Sequence, residues 1–211
     1  MCIRDSRDTV NVSIQPGLCQ NLDTTLVPGS LLGTSGNFHT VILVDPSRMI
    51  GSPTDINAML AKLAQLAARP EVQGVLVNVN QDARVAAANL QADQKVDCPE
   101  AKNLVADAIR QIVQRYEDLN PLEYVVVVGN DNAIPFFRTP DQASLASELN
   151  YIPPVFNNTQ SQSSLRLGYV LTQDPYGSDV DISFKNHTIP VPKLAVGRLV
   201  ETPDEVMHMV D

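Results

Sequence analysis

Residues 124–138, Y-V-V-V-V-G-N-D-N-A-I-P-F-F-R, carry one carboxylate and two carboxamides past an apolar run. Four consecutive valines, Val125 to Val128, read as a strand buried on both faces, the kind found in parallel sheets covered by helices. The run stops at Gly129, Asn130, Asp131 and Asn132. In open α/β sheets the carboxyl ends of the strands are where ligands and catalytic groups gather. Asp131 there is placed to position a ligand or an ion. The competing reading is a turn that needs Gly and Asn for backbone reasons, with Asp131 capping a neighbouring N–H. Turn chemistry alone accounts for these residue types and carries more weight. No G-x-G-x-x-G or phosphate-loop lysine follows any strand, so nucleotide binding by those routes has no support.

A second acidic stretch runs Q-D-P-Y-G-S-D-V-D from Gln173 to Asp181. Asp174, Asp179 and Asp181 offer oxygen ligands suited to calcium. The spacing departs from an EF-hand loop, with no glycine sixth and no closing glutamate, and a solvated acidic loop is the plainer reading. No cofactor is expected from the sequence, calcium at these three aspartates being the one alternative. Cys98 sits at a helix start, where the helix dipole lowers a thiol pKa. Nucleophilic use would also need a histidine base, and His39, His187 and His208 stand in no His-Gly context. An inert buried cysteine is the stronger reading. No G-x-S-x-G elbow or H-E-x-x-H helix occurs. Arg138 and Arg198 are single arginines beside strands, where an ion-pair role is expected. Asn11, Asn157 and Asn186 head N-x-S/T triplets, which are common by chance.

The elements that must position these groups follow an alternating order. Thr40 to Val44 is an apolar strand. Thr54 and Asp55 cap a helix through Arg69, with Ile56, Met59, Leu60, Leu63, Leu66 and Ala67 at helical spacing. Gly74 to Val79 is a second strand, and residues 83–95 fit no one pattern. Cys98-Pro99-Glu100 opens a helix to about Tyr116, its stripe formed by Leu104, Val105, Ala108, Ile109, Ile112 and Val113. The strand at Tyr124 completes β-α-β-α-β, which implies a parallel sheet with right-handed crossovers. Beyond it, residues 139–164 are polar, with a short helix expected near 142–149. Leu165 to Thr172 reads as a strand, 178–192 as a polar loop and Leu194 to Leu199 as a strand. Thr202-Pro203-Asp204-Glu205 opens a last helix. Its end is expected to fray for want of packing partners. Residues 7–38 read as irregular, with one strand near Val10 to Ile14.

Composition narrows the partners. The 211 residues carry a net charge of −9, which argues against a nucleic-acid backbone as partner. No apolar run approaches the ~20 residues of a membrane span. The three cysteines, Cys2, Cys19 and Cys98, form no C-x-x-C pair. A Cys19–Cys98 disulfide is open as a possibility but is not readable from spacing. The opening M-C-I-R-D-S, residues 1–6, reads as translated sequencing adapter. On that reading Met1 is no true start, Cys2 is no native cysteine, and a signal peptide upstream is neither shown nor excluded.

Three segments in order carry a resemblance. Val128-Gly129-Asn130-Asp131 with Ile134-Pro135 comes first, then Asp174-Pro175-Tyr176-Gly177, then Val196-Gly197-Arg198-Leu199 before an acidic helix start. The arrangement resembles the gingipain-type cysteine peptidases of the caspase-like clan, over roughly residues 40–211. Asn130 adds one residue to that family's V-G-D segment, and the 178–192 stretch lacks its frequent D-x-D-G run. The resemblance implies an α/β fold, a mostly parallel sheet with helices on both faces (caspase or Rossmann-like), incomplete at the C-terminus. On that view 39–138 form the first subdomain, and 139–211 form a connection and the start of the catalytic one. It implies a His/Cys dyad downstream of the V-G-R strand, so that no residue here inherits a catalytic role. A protein or peptide substrate and an extracellular or cell-surface location follow from the same resemblance. Two other readings stand beside it. One is an α/β module binding a small ligand at the Gly129 edge. The other is a non-catalytic surface or adhesion protein that keeps the fold.

Overall fold

The computed structural model describes residues 19–25, 32–142, 159–184 and 187–211. Four parallel strands form its central sheet: β1 (Thr40–Val44), β2 (Gly74–Asn78), β3 (Tyr124–Val128) and β8 (Ala195–Leu199), in the order β2-β1-β3-β8. Val41 pairs with Val75 on one side and Val125 on the other, and Val125 pairs with Val196. The strands read from their apolar runs therefore lie side by side in one sheet, with helices on both faces.

Strand alternation sorts the core into two layers. Val41, Leu43, Val125 and Val127 face α2 (Ala83–Gln94) and α3 (Pro99–Leu119). Ile42, Val44 and Val128 face α1 (Pro53–Ala67) and α5 (Pro203–Met209). Both faces of β1 are fully buried, which explains why its sequence is continuous rather than alternating.

Several boundaries differ from the sequence expectation. Helix α1 is capped two residues before its Thr54-Asp55 signal, because Ser52 accepts from the Asp55 N–H at 3.2 Å and Pro53 takes the first position. Residues 83–94 are a full helix, α2, capped by Asp82, which accepts from the Arg84 N–H at 2.9 Å. Leu165 does not open a strand. It closes α4 (Gln160–Arg166), and Gly168 at φ +76° turns the chain into β5 (Tyr169–Thr172). Only glycine takes that left-handed conformation without strain. The stretch read as a polar loop is a hairpin, β6 (Ser178–Phe184) and β7 (His187–Pro192). Pro190 and Pro192 are tolerated because a two-stranded ribbon is all edge. The short strand β4 (Phe137–Pro140) pairs antiparallel with β5.

The last helix is not frayed. A capping box joins Thr202 and Glu205, and Val206 is fully buried against the α1 layer. That packing supplies what a seven-residue helix lacks alone. The expected strand near Val10 to Ile14 lies outside the described residues, as does nearly all of the helix expected near 142–149.

Candidate functional site

The carboxyl ends of β1 and β3 bring the G-N-D-N turn beside the segment that follows β1. Gly129 has φ +99°, and a Cβ there would meet Met49 Sδ at 2.7 Å and Ala133 Cβ at 2.9 Å. Backbone conformation and space thus both require glycine. Asn130 Oδ1 accepts from the N–H groups of Asn132 at 3.0 Å and Ala133 at 3.3 Å. That is the side-chain turn its residue type favours.

Asp131 does not face open space. Its Oδ1 accepts from the Phe136 N–H at 2.8 Å and from Arg138 Nη1 at 2.7 Å. Its Oδ2 accepts from Arg138 Nη2 and from the Ser161 hydroxyl, each at 2.5 Å. The Arg138 side chain is 0% exposed. Asn103 on α3 brackets its backbone, accepting from its N–H at 2.7 Å and donating to its carbonyl at 2.8 Å. Burial pushes the Asp131 carboxyl up, but the Arg138 guanidinium and its hydrogen bonds outweigh this and hold it at about 2. The carboxylate is a structural clasp with both oxygens occupied.

Arg198, from the V-G-R strand, departs from the ion-pair expectation. Among the described residues it pairs with no carboxylate. Its Nη1 donates to the carbonyls of Gly129 at 2.8 Å and Ile134 at 2.9 Å, and its Nε donates to Gln173 Oε1 at 3.1 Å. The guanidinium lies 3.9 Å from the Phe136 ring centroid, a favourable stacking contact. The third segment joins the same place. The Tyr176 hydroxyl donates to the Pro135 carbonyl at 2.6 Å, and its ring stands edge-on to Phe137 at 5.1 Å. A Cβ on Gly177 would meet the Leu194 carbonyl oxygen at 2.5 Å. Three segments far apart in sequence thus lock one turn.

Arg48, in the 3-10 turn after β1, extends the cluster. It pairs with Asp93 on α2 through two bonds of 2.9 and 2.6 Å and donates to the Asn132 carbonyl at 2.8 Å. Lys102 on α3 lies among these charges. It is 1% exposed, and among the described residues its ammonium has no hydrogen-bond partner. Burial lowers its pKa from 10.5 to about 8; Asp131 opposes the drop, while Arg138 and Arg48 add to it. The folded chain therefore releases this proton at lower pH than the unfolded chain. Between about pH 8 and 10.5 the unfolded state binds more protons, so stability rises with pH across that window. Lys102→Met is expected to abolish that rise and to stabilise the chain at pH 7 by up to about 3 kcal/mol. Urea midpoints of both proteins between pH 7 and 11 check it; parallel pH profiles would refute it.

The other candidates are placed as follows. Asp174 begins the 3-10 turn 174–177, while Asp179 and Asp181 lie on β6. All three are exposed, and Asp179 lies 3.7 Å from the Lys193 ammonium. Among the described residues, one trio of potential metal ligands lies within 4.8 Å of one another, and it is a different one: Cys19, Cys98 and Glu100. The three aspartates are not gathered around one point. Cys98 caps α3 and is bonded to Cys19 in a disulfide with Cα atoms 5.2 Å apart. Neither sulfur is a free thiol. Glu100, which the sequence did not single out, lies beside them and accepts from the Tyr169 hydroxyl at 2.7 Å. His39 pairs instead with Glu123 at 3.0 Å, and His208 lies 3.7 Å from Asp204.

No family model, curated protein or solved structure matches this chain.

Proposed function

We propose that this chain is the N-terminal α/β scaffold of a gingipain-like, secreted cysteine endopeptidase. Its His/Cys dyad would be carried by polypeptide that follows the V-G-R strand. The observation that carries this reading is the convergence on one turn of the three segments that bear the resemblance. Arg198 holds the Gly129 and Ile134 carbonyls, and Tyr176 holds the Pro135 carbonyl. Motifs that recur in order along a chain need a physical reason to travel together, and this shared clasp supplies one. The Cys19–Cys98 disulfide suits an oxidising extracellular compartment. It also leaves neither of these cysteines as a thiolate nucleophile.

The chain alone is then expected to cleave no peptide. A chain extended by the native ~150 residues downstream, about one further domain, should cleave fluorogenic peptides in a thiol-dependent way. Substrates with Arg, Lys and Asp before the scissile bond cover the specificities to be tried. Iodoacetamide-sensitive activity in the short chain would overturn the assignment of the dyad to the following polypeptide. Silence in both chains would favour the non-catalytic surface protein.

A further inference from the structure

The surroundings of Glu100 contain an unsatisfied group. Its residue is 3% exposed. Oε1 receives the Tyr169 hydroxyl at 2.7 Å. Oε2 faces the disulfide, 2.8 Å from Cys19 Sγ and 3.7 Å from Cys98 Sγ. A disulfide sulfur carries no hydrogen, so among the described residues this buried oxygen has no donor. Buried carboxylate oxygens ordinarily have one, since leaving such a group unpaired is costly. Three atoms that bind metals thus point at one place, and the oxidised state gives them nothing to hold.

We propose that, when the disulfide is reduced, Cys19 Sγ, Cys98 Sγ and a Glu100 carboxylate oxygen form a binding site for a thiophilic divalent cation of the zinc class. The reduction takes two electrons and two protons from a dithiol, which itself becomes a disulfide. Cation binding then displaces the two thiol protons to solvent. Two thiolates and a carboxylate suit zinc, with Zn–S near ~2.3 Å and Zn–O near ~2.0–2.2 Å. All three ligand atoms already lie within 4.8 Å of one another, so parting the sulfurs is the main movement required. Three anionic ligands leave the loaded site one negative charge, and it sits at the start of α3, where Cys98 is the cap and Glu100 lies in the first turn. The helix N-terminus favours that charge. Tyr169 fixes the carboxylate through its other oxygen, the role outer partners play around metal ligands. The sequence offers no C-x-x-C signature because the second sulfur arrives from 79 residues away.

The test uses the full chain carrying Cys2→Ser, so that the third cysteine contributes nothing. The protein is reduced, freed of reductant under nitrogen, and titrated with Co²⁺, followed by Zn²⁺ competition. Expected are one equivalent of Co²⁺ with sulfur-to-metal charge-transfer absorption, and none in the oxidised protein. Cys19→Ser should abolish that spectrum. Glu100→Gln should weaken binding at least tenfold, and Tyr169→Phe by roughly 10–100-fold with the spectrum retained. Equal binding by oxidised and reduced chains, or Glu100→Gln binding as tightly as the parent, overturns the proposal. Circular dichroism is followed in parallel. If the reduced chain unfolds, Zn²⁺ must restore its helical signal, and failure to do so also overturns it.

Discussion

Asp131→Ala is expected to lower the unfolding free energy by about 3–5 kcal/mol, the cost typical of leaving one partner of a buried ion pair alone. Among the described residues, Arg138 keeps neutral partners in that variant, the Phe136 carbonyl and the Ser164 hydroxyl, but no counter-charge beside it. The Phe136 N–H and Ser161 hydroxyl also lose their acceptor. Arg138→Met should cost a similar amount, and the double variant should cost at least ~1.5 kcal/mol less than the sum, because the two side chains act as a unit. Asp131→Asn separates charge from shape and should fall between. Its pH dependence adds a second readout. The folded carboxyl sits at about 2 against an ordinary 3.8. Its contribution is therefore complete above the ordinary value and is lost as pH falls through about 2. Wild type minus Asp131→Asn should shrink across that window. Urea midpoints at pH 7, with a series down to pH 2, measure both effects. A loss below ~1 kcal/mol for Asp131→Ala at pH 7 would mean that the clasp does not hold the turn.

The sheet was legible in the sequence because its two inner strands, β1 and β3, are largely buried on both faces. Val41 to Val44 and Val125 to Val128 have no polar residue to confuse the pattern, and α3 shows a full apolar stripe. Helix α2 was not legible, because its buried face is built from Val85, Ala88 and Ala92 together with Arg84 and Asn89. Small apolar residues mixed with polar ones give little contrast. Arg84 is buried by virtue of its pair with Asp82 at 2.7 Å, which no periodicity announces. The β6–β7 hairpin was hidden by its prolines and by its exposed position. At the candidate site, the glycine and asparagine turn was readable from residue types, since local backbone demands select them. The partners were not. Arg198 binds carbonyl oxygens, and every residue has a carbonyl, so the sequence carries no mark of that contact. Glu100 looked like an ordinary first-turn acid of a helix; its place beside two sulfurs depends on a chain crossing from residue 19.

Removing that crossing link should have a large effect. The Cys19→Ala/Cys98→Ala chain is expected to lose about 4 kcal/mol of stability. The disulfide joins residues 79 apart, and the entropy withheld from an unfolded chain by a loop of that length is of this order. The mechanism acts on the unfolded state, so it predicts more than a shift in midpoint. Without the link the unfolded chain expands and exposes more surface, and the urea m value should rise. The effect is realised only if the segment around Cys19 stays docked in the variant. Several contacts favour docking: Lys95 donates to the Gln20 carbonyl at 2.7 Å, the Asp23 N–H donates to Gln91 Oε1 at 2.9 Å, and Leu22 packs on the core. Most of these bonds are exposed and individually weak, so the opposite outcome has a definite signature. If the segment lifts away, the rest of the domain unfolds at nearly its original midpoint with an unchanged m value, and hydrogen exchange at residues 20–25 becomes fast. A loss under ~1 kcal/mol with that exchange pattern would sink the prediction. A loss near 4 kcal/mol with a raised m value would show that the link stabilises the whole α2–α3 layer and not merely a tethered arm.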